Sequence, residues 1–335
     1  KKLNQSFVNF IVKLFEYRNS TNSDYVSLTQ KICNRLLEEL KTNKIYAIQL
    51  ISKMPKNTLF INKKIMALLW ELTNDENYKI RKIVPNAIFN ISRQTKHSSS
   101  IVDTSKKLLQ IAIFETKSDV RCSILKALTE NIVEDHASPE FMQFYHIFLE
   151  DENYQVRELT INFIAKINKY NPMSLSSMIR EVLVDDFFII RHVPQIHKRA
   201  IAMRLLPSLI KAISMTIKAF SKGIIDIFKT YLNEYNPKQN YENFLEENSQ
   251  VSILISIVES LTLLAALDPS EVSLNSEFLI PKFCQIAKET DHRKISLGIF
   301  HLLYVLLTPP ASTLVIRSQI PIILSNCTSY LMKTH

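Results

Sequence analysis

Glycine is nearly missing from this sequence: Gly223 and Gly298 are the two glycines in 335 residues, where average usage gives roughly 23. Loops that cradle phosphate need glycine so that backbone N–H groups can approach the ligand closely. Neither G-x-G-x-x-G nor G-x-x-x-x-G-K-[ST] can be written with two glycines so far apart. The G-x-S-x-G nucleophile elbow is absent too. Many-stranded folds also want glycine in their hairpins, so the shortage points to an all-α chain.

Cysteine offers no chemistry either. Cys33, Cys122, Cys284 and Cys327 make no C-x-x-C pair and no short spacing, the pattern of small core residues in a reducing compartment. Val251–Leu267, the most apolar stretch, carries Glu259 and several hydroxyl residues. It is short for a membrane span and reads as a buried helix. The chain opens Lys1-Lys2-Leu3-Asn4 with no Met and no signal-peptide pattern, as expected of an internal or trimmed piece.

Histidine and acidic residues are present but badly spaced for catalysis. His192 and His197 are five apart, no H-E-x-x-H occurs, and no Cys falls near a His, so no metal site is expected. Asp185 and Asp186 are adjacent, and adjacent acids on a helix do not converge on one substrate. No catalytic or cofactor-binding residue is assigned.

What the sequence does contain is charge and apolar periodicity. Lys and Arg outnumber Asp and Glu by 41 to 32, a net +9. Much of this is local: between Phe187 and Thr230, Asp226 is the single acid among eight Lys/Arg. Arg191, Lys198, Arg199, Arg204 and Lys211 form a candidate anion-binding surface, a solvated helix face being the alternative. The stretch has few exposed-looking aromatics, no Gly-rich RNA motif and no zinc finger, so nucleic acid is not the expected partner.

Apolar residues recur at three- and four-residue spacing, as in Phe7, Val8, Phe10, Ile11, Leu14 and Phe15 of Ser6–Tyr17. Breaks of Asn, Asp, Ser and Pro, such as Met54-Pro55, Asn171-Pro172 and Asp268-Pro269, divide the chain into about sixteen helices. Three helices share one opening. Asp75-Glu76-Asn77-Tyr78-Lys79-Ile80-Arg81 opens the first, Ser118-Asp119-Val120-Arg121 the second, and Asp151-Glu152-Asn153-Tyr154-Gln155-Val156-Arg157 the third. Arg81, Arg121 and Arg157 are separated by 40 and then 36 residues, close to the period of HEAT-type helix pairs.

The chemistry fits that period. A turn Asp or Asn accepts N–H groups of the first helical turn, and the Val or Ile before each Arg faces the core. The Arg can then reach the Asp of an adjacent turn. Asp75, Arg81, Asp119, Arg121, Asp151 and Arg157 would thus form an Asp–Arg ladder along one edge of an α-solenoid, ordinary N-caps with incidental arginines being the alternative. We expect roughly eight antiparallel helix pairs. Residues 1–235 and 250–335 would be solenoid, and 236–249 a polar linker or a gap closed up in the sequence.

The stretch from Leu108 to Leu183 resembles a known family. Leu149-Glu150-Asp151-Glu152-Asn153-Tyr154-Gln155-Val156-Arg157-Glu158 is similar to the L-N-D-E-x-F-x-I-R-E repeat of the target-of-rapamycin (TOR) kinases, within their N-terminal HEAT region. Asn171-Pro172 and Ile179-Arg180 follow where that family has N-P-A and L-R-K. Leu261-Thr262-Leu263-Leu264-Ala265-Ala266-Leu267-Asp268-Pro269 resembles its L-G-L-L-G-A-L-D-P. Three departures stand out: Met173 for the Ala of N-P-A, Glu181 for the Lys of L-R-K, and Ala265 for a Gly.

The resemblance implies part of a phosphatidylinositol-3-kinase-related Ser/Thr kinase whose ATP- and Mg-dependent domain lies outside these residues. No D-F-G or H-R-D signature occurs here. The implied role is scaffolding, with a Raptor-like subunit and a second TOR protomer as partners, in the cytoplasm or at endomembrane surfaces. No cofactor is implied for the segment itself. A stand-alone HEAT adaptor, of the transport-receptor or phosphatase-scaffold kind, is the alternative.

Overall fold

The computed structural model describes residues 23–53, 63–93, 98–235, 244–290, 292–309 and 311–333. Among these residues there are seventeen α-helices, two short 3-10 turns and no strand. The all-α expectation therefore holds. The helix expected over Ser6–Tyr17 and the break at Met54-Pro55 lie outside the described residues. Chain packing divides into two compact units, residues 1–163 with 169–171, and residues 164–168 with 172–335.

The first unit contains α1 (Ser23–Thr42), α2 (Lys44–Ser52), α3 (Lys63–Leu72), α4 (Tyr78–Ser92), α5 (Ser98–Phe114), α6 (Ser118–Thr129), α7 (Pro139–Leu149) and most of α8 (Tyr154–Ile167). Successive helices pair: α1 packs on α2, α3 on α4, and α5 on α6. The second members then stack as one layer, α2 on α4 and α4 on α6, while α1 packs on α3 and α5 on α7 in the other. The apolar stripes meet between these layers. Ile48, Ile51, Leu69, Val84, Ile88, Leu108, Leu125, Phe141 and Phe163 are all essentially inaccessible to water. No single pair could bury such a stripe alone, so each repeat depends on its neighbours.

Polar turns set the helix starts. Asn77 opens α4 by accepting the Lys79 N–H on its side chain, and Asn153 does the same for Gln155 at α8. Pro139 stands at the first position of α7, where a missing N–H costs nothing. Proline is not confined to breaks, however. Pro85, Pro207 and Pro281 lie inside helices, each removing one intrahelical hydrogen bond.

The second unit contains α9 (Pro172–His192), α10 (Ile196–Ala212), α11 (Lys218–Glu234), α12 (Phe244–Leu267), α13 (Pro269–Leu274), α14 (Ser276–Glu289), α15 (Arg293–Leu307), α16 (Leu314–Ser318) and α17 (Ile320–Lys333). Its hub is α12, which packs on α10, α11, α13 and α15. Residues 244–249, at the end of the polar stretch, belong to α12 and not to a loop, and 236–243 lie outside the described residues. By length and apolarity α12 could cross a bilayer. Here Ile253, Leu254, Ile257, Val258, Leu261, Leu264 and Ala265 are buried within the unit.

Candidate functional site

The three turns singled out by the sequence carry one repeated device. Arg81 lays its guanidinium on Glu115, with Nε and Nη2 donating to the two carboxylate oxygens at 2.7 and 2.9 Å. Its Nη1 turns back to the Asp75 carbonyl at 2.8 Å. Arg121 repeats the arrangement one helix pair later. Its Nη1 donates to the Glu115 carbonyl at 2.8 Å, and its Nη2 donates to Asp151 Oδ1 at 2.8 Å. Arg121 Nε also stands 2.8 Å from Asp151 Oδ2, a charge contact whose direction does not make a second hydrogen bond. Upstream, Lys44 donates to Asp75 Oδ2 at 2.5 Å.

Each cation thus closes onto an acid in the following turn, and that acid also ties down its own turn. Asp75 Oδ1 accepts the Asn77 N–H, Glu115 Oε1 the Lys117 N–H, and Asp151 Oδ1 the Asn153 N–H. The Arg81–Glu115 pair is forked, and therefore directional as well as attractive. Arg157 Nε donates to the Leu149 carbonyl at 2.9 Å, holding the turn before α8.

Asp119 departs from the expected ladder. It pairs with Lys82 at 2.8 Å, both side chains being about half exposed, and the acid facing Arg81 is Glu115. The reason is register. Asp75, Glu115 and Asp151 each precede an arginine by six residues, whereas Asp119 lies within the first turn of α6 and points outward. Lys44 and Glu115 were the members that sequence reasoning missed. An acid six residues before each Arg was the signal available for Glu115.

The electrostatics follow from these contacts. The Lys44 hydrogen bond, with help from the Asn77 N–H, holds the Asp75 carboxyl below its ordinary range. Burial pushes Glu115 upward, but Arg81 and the Lys117 N–H outweigh it and leave the carboxyl depressed. Arg121 shows the same contest: burial disfavours its charge, and Asp151 more than restores it. These groups stay ionised and paired at neutral pH, so the arrangement fixes repeat geometry and offers no proton to chemistry.

The candidate residues of the basic stretch, in the second unit, lie on α9 and α10, with Arg199 half-buried. Arg191, Lys198, Arg204 and Lys211 are exposed, but Arg204 Nε donates to Ser252 Oγ. Arg191 and Arg199 border a cavity of about 300 Å³ whose other wall carries Asp226 and Glu234. Among the described residues no group of three or more His, Cys, Asp or Glu could hold a metal ion. Cys33, Cys122 and Cys284 are buried free thiols.

Stacked helix pairs with a turn ladder define the class: an all-α solenoid of HEAT type. The solved structure entitled "Kap95p Binding Induces the Switch Loops of RanGDP to adopt the GTP-bound Conformation" is similar over 90% of this chain and 38% of that one, with TM-score 0.56 and 13% identity. That likeness is one of fold. No family model matches the chain. Curated relatives carry the comparison further. The chain is 24% identical over 153 residues to serine/threonine-protein kinase mTor of Drosophila melanogaster, covering 44% of this chain and 6% of the kinase. It is 23% identical over 128 residues to serine/threonine-protein kinase tor1 of Schizosaccharomyces pombe, covering 38% and 6%. Against TOR2 of Saccharomyces cerevisiae it is 24% identical over 128 residues, covering 38% and 5%. The resemblance to TOR kinases is thus found in aligned sequence as well as in short anchors. The chain spans a small fraction of the length of those kinases.

Proposed function

We propose that this chain is an N-terminal HEAT scaffold segment of a TOR-like phosphatidylinositol-3-kinase-related Ser/Thr kinase, serving complex assembly and partner docking. The observation that carries this reading is the aligned similarity to kinases from a fly and two yeasts. The geometry supports a non-catalytic role, because the charges of the repeated turns are engaged in joining repeats. ATP and Mg would serve a kinase domain outside these residues, a Raptor-like subunit and a second TOR protomer would be the partners, and the cytoplasm or an endomembrane surface the place of work. Sequencing the transcript past His335 tests this directly. A downstream kinase domain of this class is the expected result, and a stop with no such domain ends the proposal.

The alternative, a stand-alone HEAT adaptor, draws on the likeness to Kap95p, whose structure was solved with RanGDP. Affinity purification separates the two. Recovery of a Raptor-like subunit supports the kinase scaffold, and recovery of a Ran-type GTPase without it supports the adaptor.

A further inference from the structure

The cavity in the second unit is built with two opposed charged walls. The C-terminal end of α9 and the start of α10 supply Arg191 and Arg199. On the facing side α11 supplies Asp226 and Glu234, eight residues apart and so on one helix face. Its floor is apolar, with Met203 and Ile253 each 1% exposed. Arg199 Nε is buried and has no hydrogen-bond partner. Among the described residues none of these four charged side chains forms an ion pair with another, although charges of both signs line one space of about 300 Å³.

A buried, unpaired Arg199 Nε–H beside exposed charges of both signs and an apolar floor selects its ligand. A polyanion would approach Arg191 and Arg199 only by also approaching Asp226 and Glu234, which repel it. A purely apolar molecule would leave the Arg199 Nε–H desolvated and unpaired, which is costly. A ligand carrying one carboxylate and one cationic nitrogen on a short apolar body meets every condition at once. The volume lies at the small end of ligand sites.

The geometry points to a binding site for a small zwitterion of the α-amino-acid class, carboxylate toward Arg199 and ammonium toward Asp226, with the side chain on the Met203–Ile253 floor. This site stands apart from the scaffold reading and does not depend on it.

Calorimetric titration of the 335-residue chain with phenylalanine, phenethylamine and hydrocinnamate tests the assignment, since the three share an apolar body and differ in charge. Phenylalanine is expected to bind, and each half-molecule about tenfold or more weakly, one charged contact being worth a factor of that order. Arg199→Met should abolish the preference for phenylalanine over phenethylamine while keeping its preference over hydrocinnamate. Asp226→Asn should do the reverse. This crossed pattern cannot arise from unfolding. No saturable heat with phenylalanine overturns the proposal, as does equal binding of all three compounds. A peptide with adjacent acidic and basic residues that binds where phenylalanine does not would also overturn it, and would mark the cavity as a protein-docking pocket.

Discussion

Arg121 and Asp151 face each other across two successive turns with side chains that are each only 8% exposed, the most deeply buried ion pair of the ladder. Arg121 simultaneously holds the Glu115 carbonyl, and Glu115 holds Arg81. One guanidinium therefore joins its own turn to the next, and consecutive links share members. Removing one partner of such a pair leaves the other charge desolvated, which costs far more than the intact pair contributes.

Arg121→Ala should accordingly destabilise the chain by about 3 kcal/mol, read as a lower urea midpoint. Lys82→Ala, which removes the exposed partner of Asp119, should leave the midpoint almost unchanged. The same contrast applies to the acids, Glu115→Ala being much more damaging than Asp119→Ala. Equal midpoints within either pair of variants would show that the ladder contributes nothing to repeat stacking.

Much of this was legible in the sequence, and the part that was not has a physical cause. The period of Arg81, Arg121 and Arg157 revealed the stacked pairs because each Arg follows a core Val or Ile at a fixed helical position. The choice between Glu115 and Asp119 turned on one weak signal, the six-residue spacing that Glu115 shares with Asp75 and Asp151, because both acids precede Arg121 and the fold shows which one faces the previous repeat. Pro85, Pro207 and Pro281 were equally opaque: a sequence pattern reads proline as a boundary, and packing holds these three within helices. The mixed-sign cavity was invisible for another reason. Asp226 and Glu234 are far in sequence from Arg191 and approach it through helix packing.

Acidification should expose a buried histidine. His136 has no accessible surface; its Nδ1 accepts the Val133 N–H at 3.2 Å, so Nε2 carries the proton toward Ser105 Oγ at 2.9 Å. Burial lowers its pKa from 6.5 to about 4. The unfolded chain therefore binds more protons between those values, and stability should fall by about 3 kcal/mol as pH drops across that window. Below it the His136 contribution is flat. The depressed carboxyls of Asp75 and Glu115 have the companion sign, their stabilisation being present above the unfolded carboxylate pKa and lost as pH falls through the folded one. Urea titrations at a series of pH values should show the upper segment of this loss disappear in His136→Gln. An unchanged slope in that variant would assign the loss to other groups.

Binding to duplex DNA should be weak and nearly salt-independent. Arg204 is engaged with Ser252, and Asp226 and Glu234 stand beside Arg191 and Arg199. Few phosphates could be neutralised at once, so little counterion release is available. A steep fall in affinity between low and physiological salt would contradict this and support the basic stretch as an anion-binding surface.

The two glycines should respond in opposite ways to alanine. Both lie inside helices, where glycine costs roughly 0.5–1 kcal/mol relative to alanine. At Gly223 in α11 an added Cβ meets nothing within 4 Å, so Gly223→Ala should stabilise the chain by about that helical gain, read as a higher melting temperature. At Gly298 in α15 the same atom would lie 3.2 Å from Val258 Cγ1 on α12. The helical gain is then spent on moving α15 or Val258 in a packed core, and Gly298→Ala should melt at or below the parent temperature. Val258→Ala should cost less in that background than in the parent chain, because the two sites share one contact. Equal stabilisation by both glycine replacements would mean that the α12–α15 approach is looser than the packing of this hub requires.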